Sequence, residues 1–147
     1  MDLDISSIFY QLILAAFLGS LIGFEREVHG KAAGLRTYSL VSLGACLFTI
    51  VSSVGFADAV GYDPSRVASQ VVVGIGFIGA GIIFVRGEEV QGLTTAAGLW
   101  IAGAIGMAVG VKLYLIAIFA ALLVLFVLWI LKFVERPFHK DEQKGVS

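Results

Sequence analysis

Five apolar runs dominate the chain, and each is about as long as a helix that crosses a bilayer. Hydrocarbon about 30 Å thick takes roughly 20 residues of helix. Inside it every backbone polar group must find its hydrogen bond within the segment, so runs of this kind are helices. They cover Ile5–Phe24, Tyr38–Ala57, Val67–Val85, Leu93–Gly110 and Leu113–Leu131. The first stops at Glu25-Arg26-Glu27, the second at a polar stretch over 58–66, and the third at Arg86-Gly87-Glu88-Glu89. A charged tail, 132–147, follows the fifth. Asp63-Pro64 suits the start of the third helix, as an N-cap followed by proline in the first turn. The expected fold is an all-α membrane protein, a polytopic bundle of five transmembrane helices forming a single domain in the lipid bilayer.

Composition narrows the class further. Of 147 residues 59% are hydrophobic and 14% charged, against about 25% charged in a soluble domain. A formal charge of −1 with no basic cluster gives nucleic acid no electrostatic handle. Asp2 and Asp4 precede the first run with no Lys or Arg. A cleaved signal needs a positive start, so this run is expected to stay as a span. The lone cysteine, Cys46, lies in an apolar run and is read as a packing residue, because thiolate chemistry needs a wetter, electropositive setting.

Basic residues set the expected orientation. With the C-terminus inside, the cytoplasmic face collects Arg26, Lys31, Arg36, Arg86, Lys132, Arg136, Lys140 and Lys144, and the outside keeps only Arg66 and Lys112. That bias places the N-terminus outside and the tail in the cytoplasm. Glu25, Arg26, Glu27, Arg36, Thr37, Arg86, Thr94 and Thr95 then converge at the cytoplasmic end. The second and fourth helices aim their positive dipole ends at the same place, which favours anionic groups there.

Two readings stand for these residues. Charges that end a span are commonly interface anchors, and Thr94 and Thr95 suit a helix cap. The functional reading makes Glu25 and Glu27 metal ligands at the inner mouth and Asp63 a guard at the outer one. Arg26, Arg36, Thr37, Arg66, Gln70, Arg86, Thr94 and Thr95 then form the polar cluster or route. Gln70 suits an interhelical hydrogen bond equally well. His29 and His139 stand apart from other ligating residues and are read as solvated loop and tail residues.

Small residues carry a packing argument. Gly98, Ala102, Gly106 and Gly110 recur every four residues, as do Ala15, Gly19 and Gly23. Such stripes let helix backbones approach closely where lipid supplies no hydrophobic drive. Gly74, Gly76, Gly79 and Gly81 form a second glycine run. Its GxGxxG spacing is no dinucleotide fingerprint, because no strand precedes it. Close packing and a locally unwound helix lining a cavity both remain open for it.

The strings GFEREVHGKAAGLRTYSLVSLGACLF, DPSRVASQVVVGIGFIGAGIIFVRG and VQGLTTAAGLWIAGAIGMAVG resemble the MgtC/SapB family of bacterial inner-membrane proteins, from about Ile13 to Tyr114. The resemblance implies a short member without the cytoplasmic C-terminal domain that many relatives carry. It also implies a link to low-magnesium adaptation and, in some pathogens, to survival in macrophages and inhibition of the membrane ATP synthase. The positions it carries over are Glu25, Arg26, Glu27, Arg36, Thr37, Asp63, Arg66, Arg86, Thr94 and Thr95.

Two functions fit. One is a non-enzymatic regulator in magnesium homeostasis that acts through helix–helix contacts, with a homodimer as the expected assembly and another membrane protein as an alternative partner. The other is a cation transporter or channel for Mg²⁺, an ion that keeps most of its water and takes one or two carboxylates. No cofactor other than Mg²⁺ is expected. An enzyme is disfavoured, since the runs hold no paired polar groups for catalysis.

Overall fold

The computed structural model describes residues 4–56, 61–63 and 65–135, with side chains to 130. Pro64, residues 57–60 and the tail from 136, with Arg136, His139, Lys140 and Lys144, lie outside the described residues, and so does the Lys132 side chain. Five helices form the fold: α1 (Ile5–Val28), α2 (Leu35–Gly55), α3 (Ser65–Ala80), α4 (Leu93–Gly110) and α5 (Tyr114–Glu135). A two-stranded antiparallel hairpin, β1 (Phe84–Arg86) and β2 (Glu89–Gln91), joins α3 to α4.

Where an apolar run ends is not where its helix ends. α1 continues through Glu25-Arg26-Glu27 to Val28, because acidic and basic side chains leave hydrocarbon without breaking a helix. It starts where the Asp4 carboxylate accepts the Ser7 amide, 3.4 Å away. Hydrogen bonds from Ser6 and Ser7 hold the Asp4 carboxyl below its ordinary range. α1 stops where His29 caps the last turn and Gly30 turns with φ +62°.

The third run is the largest correction. A helix over Val67–Val85 is expected, but α3 ends at Ala80 and Phe84–Arg86 form a strand. Turn bonds from Ile82 to Gly79 and from Ile83 to Ala80 close the helix. Val85 then pairs with Val90 across a turn holding Gly87 at φ +65°. β-branched residues suit a strand as well as a buried helix. The returning chain passes Gly92 (φ +90°) directly against the Ile82 carbonyl, leaving no room for a Cβ.

α1, α2 and α4 form a closed three-helix core. Its small residues do what their spacing suggests, and they do it inside one chain. A Cβ at Gly19 would stand 2.6 Å from the Tyr38 carbonyl oxygen, and one at Gly23 would stand 2.7 Å from the Leu35 Cα. From α4, a Cβ at Gly98 would strike the Tyr38 hydroxyl, and one at Gly106 the Ser42 carbonyl oxygen. At Gly110 it would lie 2.8 Å from the Thr49 Cβ. Ala15, Ala102 and Cys46 complete this dry seam, all fully buried.

α1, α2 and α4 are each long and apolar enough to cross a membrane. α3, at 16 residues, is about 24 Å long, less than the hydrocarbon thickness of about 30 Å. It lies outside the core, with only Ile75 and Gly79 buried. α5 packs on α4 and α1, and Tyr114 at its start meets Tyr10 edge-to-face at 5.5 Å.

Candidate functional site

Three of the charged residues singled out from sequence, Glu25, Arg26 and Glu27, stand together in the last turns of α1, at the end of the bundle where α2 and α4 begin. Arg26, in the last turn of α1, is buried. Its Nε donates to Glu25 Oε2 at 2.6 Å and an Nη to Oε1 at 3.3 Å. The Nδ1 of His29 lies 2.9 Å from Glu25 Oε1 and 2.7 Å from the Glu25 carbonyl oxygen. His29 is therefore part of the cluster and not a free loop residue. Glu25 engages both oxygens with these two neighbours.

Glu27 has a different task. Its Oε2 accepts the Leu35 amide at 2.8 Å, and so caps α2 from across the connecting loop. Gly34, the N-cap of α2, offers no side chain of its own. A Cβ there would come 2.6 Å from Glu27 Oε2, so the glycine admits the carboxylate. A carboxylate at a helix N-terminus satisfies orphan amides and meets the positive end of the dipole.

Tyr38 and Gln11 tie the core at its two ends, and neither was singled out by the sequence. The Tyr38 hydroxyl donates to the Thr95 carbonyl oxygen at 3.1 Å. Gln11 Nε2 donates to the carbonyls of Val109 and Gly110, at 2.9 and 2.8 Å. A single polar residue inside an otherwise apolar stretch was the available signal for Gln11.

The start of α4 opens on a polar cavity of about 560 Å³ whose lining includes Arg26, His29, Lys31, Gly92, Thr94 and Thr95. Among the described residues no carboxylate lines it. α4 begins at Gly92 without a side-chain cap, so Thr94 and Thr95 lie in its first turn but do not cap it. Arg36 and Thr37 go elsewhere, to the end of an apolar groove of about 630 Å³ between α2 and α3 that also takes in Gln70 and Gly74. Arg86 lies exposed on the hairpin opposite Glu89, beyond the end of α3.

Asp63 and Arg66 sit at the other end, a helix length of about 30 Å away along α2. Asp63 accepts the Ser65 amide at 3.0 Å and hydroxyl at 2.6 Å, and those bonds hold its carboxyl below its ordinary range. Arg66 lies 3.8 Å from it. Among the described residues no three His, Cys, Asp or Glu come together to hold a metal. Glu25 faces Arg26 and His29, and Glu27 faces an amide.

The glycine run of α3 separates into two kinds. Gly79 packs on Ala96, 3.4 Å from where its Cβ would stand. Among the described residues Gly74 and Gly76 would meet nothing within 4 Å. The helix is continuous through 74–79, so the unwound alternative does not apply there.

Residues 12–137 match the MgtC family. Over 123 residues, 80% of this chain and 57% of the relative, the sequence is 52% identical to "Putative magnesium transporter YhiD" of Escherichia coli K12. It is also 52% identical over 99 residues to "Protein MgtC" of Brucella abortus, covering 67% of this chain and 40% of that protein. A Haemophilus influenzae protein of uncharacterized function is 36% identical over 144 residues, covering 93% of this chain and 60% of the relative. The chain thus spans about half the length of the curated relatives it matches. No solved structure matches it.

Proposed function

Because the chain belongs to the MgtC family of bacterial membrane proteins, we propose that it is a non-enzymatic regulator in magnesium homeostasis that acts through helix–helix contacts. In this reading all five helices cross the inner membrane, with the N-terminus outside and the C-terminus in the cytoplasm. The hairpin carries the short α3 to the interface. The observation behind the reading is the contrast in packing. α1, α2 and α4 are pressed together backbone to backbone at Gly19, Gly23 and Gly106, while Gly74 and Gly76 on α3 are open. Glycine in a membrane helix that meets nothing among the described residues suits the close approach of another helix. A second copy of the chain is the proposed occupant of that face.

The second reading is Mg²⁺ transport, favoured by the name that the Escherichia coli relative carries. Its proposed entry would use Glu25 and Glu27, whose oxygens already serve Arg26, His29 and the start of α2. Mg²⁺ flux into liposomes separates the two readings. Vesicles with the purified protein are expected to be as tight as empty ones across gradients and potentials. The chain is also expected to restore growth at low Mg²⁺ to a strain lacking its gene. Flux above empty vesicles that a Glu25→Gln/Glu27→Gln variant loses would replace the regulator with a transporter.

A further inference from the structure

The groove between α2 and α3 carries a cation at one end and is apolar along most of its length. Arg36, Leu40, Gly44 and Phe48 recur every four residues down its α2 wall, with Gly74 and Ile78 on the α3 side. Residues four apart share one face of a helix. Part-way along both walls the side chains are missing. A Cβ at Gly44 or at Gly74 would meet nothing within 4 Å among the described residues. The groove, of about 630 Å³, is therefore an open slot beside α2, a helix long and apolar enough to cross a membrane.

Its length is that of one leaflet. From Arg36 to Phe48 α2 rises about 18 Å, and the acyl chains of one leaflet reach about 15 Å, half of the hydrocarbon thickness. Leu40 and Phe48 on its rim are 66% and 60% exposed, which suits contact with lipid and not with water.

Apolar lining alone does not say what lies in the slot, but the charge at its mouth does. Arg36 is exposed there, and among the described residues its side chain makes no hydrogen bond or ion pair. No carboxylate among the described residues lines the groove. The site is one of side chains, since Glu27 already takes the Leu35 amide at the start of α2. A guanidinium pairs with a phosphate through parallel N–H donors, and the neighbouring Thr37 also lines the groove. A zwitterionic headgroup brings a cation of its own, which competes with Arg36 for the phosphate. An anionic one leaves Arg36 as the counter-charge.

We infer that the groove between α2 and α3 holds an anionic phospholipid, with its phosphate on Arg36 and an acyl chain lying along Gly44 and Gly74. The inference goes beyond the regulator reading and does not need it. Gly76 lies outside the groove lining, so a lipid here leaves that glycine to a second copy.

The test uses the full chain purified in a neutral detergent. Phosphatidylglycerol and phosphatidylcholine with matched acyl chains are added together, and retained lipid is read by native mass spectrometry. Arg36→Gln removes the charge from an exposed side chain that bonds to nothing among the described residues. Gly44→Leu fills the slot, and the open space at Gly44 lets the helix accept it. The parent is expected to retain phosphatidylglycerol in preference, and Arg36→Gln to lower that preference about fivefold or more, as the loss of one interfacial cation requires. Gly44→Leu should lower retention of both lipids. Equal retention of the two lipids by the parent, or a preference that Arg36→Gln leaves in place, overturns the inference. So does retention that Gly44→Leu leaves unchanged. A second copy in the groove would give a dimer without phospholipid that Gly44→Leu dissociates, and this also overturns it. A dimer through Gly76 survives Gly44→Leu, so the lipid inference and the regulator reading fail separately. Should Gly44→Leu not accumulate, the Arg36→Gln comparison decides alone.

Discussion

α3 and α4 are both glycine-rich, and they use glycine in opposite ways. Along α4, Gly98, Gly106 and Gly110 each press against α2, so that a methyl group at any of them would meet the Tyr38 side chain, the Ser42 carbonyl or Thr49. Along α3, Gly74 and Gly76 open onto space. Composition alone would have assigned both helices the same role. What differs is the helix on the other side, and membrane helices gain stability only where a close neighbour completes the packing. The α4 glycines are thus internal seams, whereas Gly74 and Gly76 of α3 meet nothing within 4 Å among the described residues.

The largest expected effect comes from closing the α4 seam. Gly106→Leu must displace the backbone of α2 at Ser42, and backbone cannot turn aside as a side chain does. Overpacking of that kind costs about 3 kcal/mol or more. We expect a variant that unfolds many degrees below the parent in detergent, or that does not accumulate. A Gly106→Leu protein with the parental melting temperature would mean that α2 and α4 are not in contact here, and the contrast with α3 would fail.

A smaller effect is expected from the polar tie at the opposite end of the core. Gln11→Leu keeps the volume but removes both bonds to the end of α4, leaving the Val109 and Gly110 carbonyls without that donor. A loss of about 1–2 kcal/mol follows from interhelical hydrogen bonds of this type. Thermal unfolding would check the loss, and hydrogen exchange should localise it to the last turn of α4.

Gly103 tests the boundary between the two regions. It faces α3, and a Cβ there would strike the Cδ1 of Ile75, the flexible end of a side chain. Gly103→Ala is expected to cost about 1 kcal/mol or less, because Ile75 can change rotamer. The loss should fall on α3, as faster proteolysis or exchange there, with the core unaffected. Ile75→Val in the same chain, shortening the obstructing end, should return most of the stability.

The sequence makes much of this contrast visible, but not all of it. Hydropathy shows five helices because apolar length is a direct requirement of the bilayer, and the spacing of Gly98, Ala102, Gly106 and Gly110 shows a contact face. It leaves open which helix fills that face. The end of α3 is illegible for a specific reason: Phe84 and Val85 are as apolar in a strand as in a helix, so the run appears to continue. Glu27 is illegible for another. Its partner, Leu35, becomes a neighbour only after the loop over 29–34 has folded back, so span-ending charge is all that its position reveals.

Gly76→Leu should have the least effect on stability and decides most about the open face. Nothing among the described residues obstructs it. Leucine is the better helix former, so the expected change runs from none to a gain of about 0.5 kcal/mol. Phe77 beside it is 83% exposed, an apolar surface that lipid alone would satisfy. If α3 does nothing except face lipid, Gly76→Leu will therefore be silent in every assay. If a second copy approaches there, the variant will keep its melting temperature and lose association, because a leucine holds two helix backbones apart where glycine lets them meet. Crosslinking in native membranes through cysteines placed at the neighbouring Val73 reads that association directly. A crosslinked dimer present in the parent background and absent with Gly76→Leu makes the α3 glycines a second seam, completed between chains. Equal crosslinking with and without the leucine removes α3 from the interface and leaves α4 as the helix whose glycines pack.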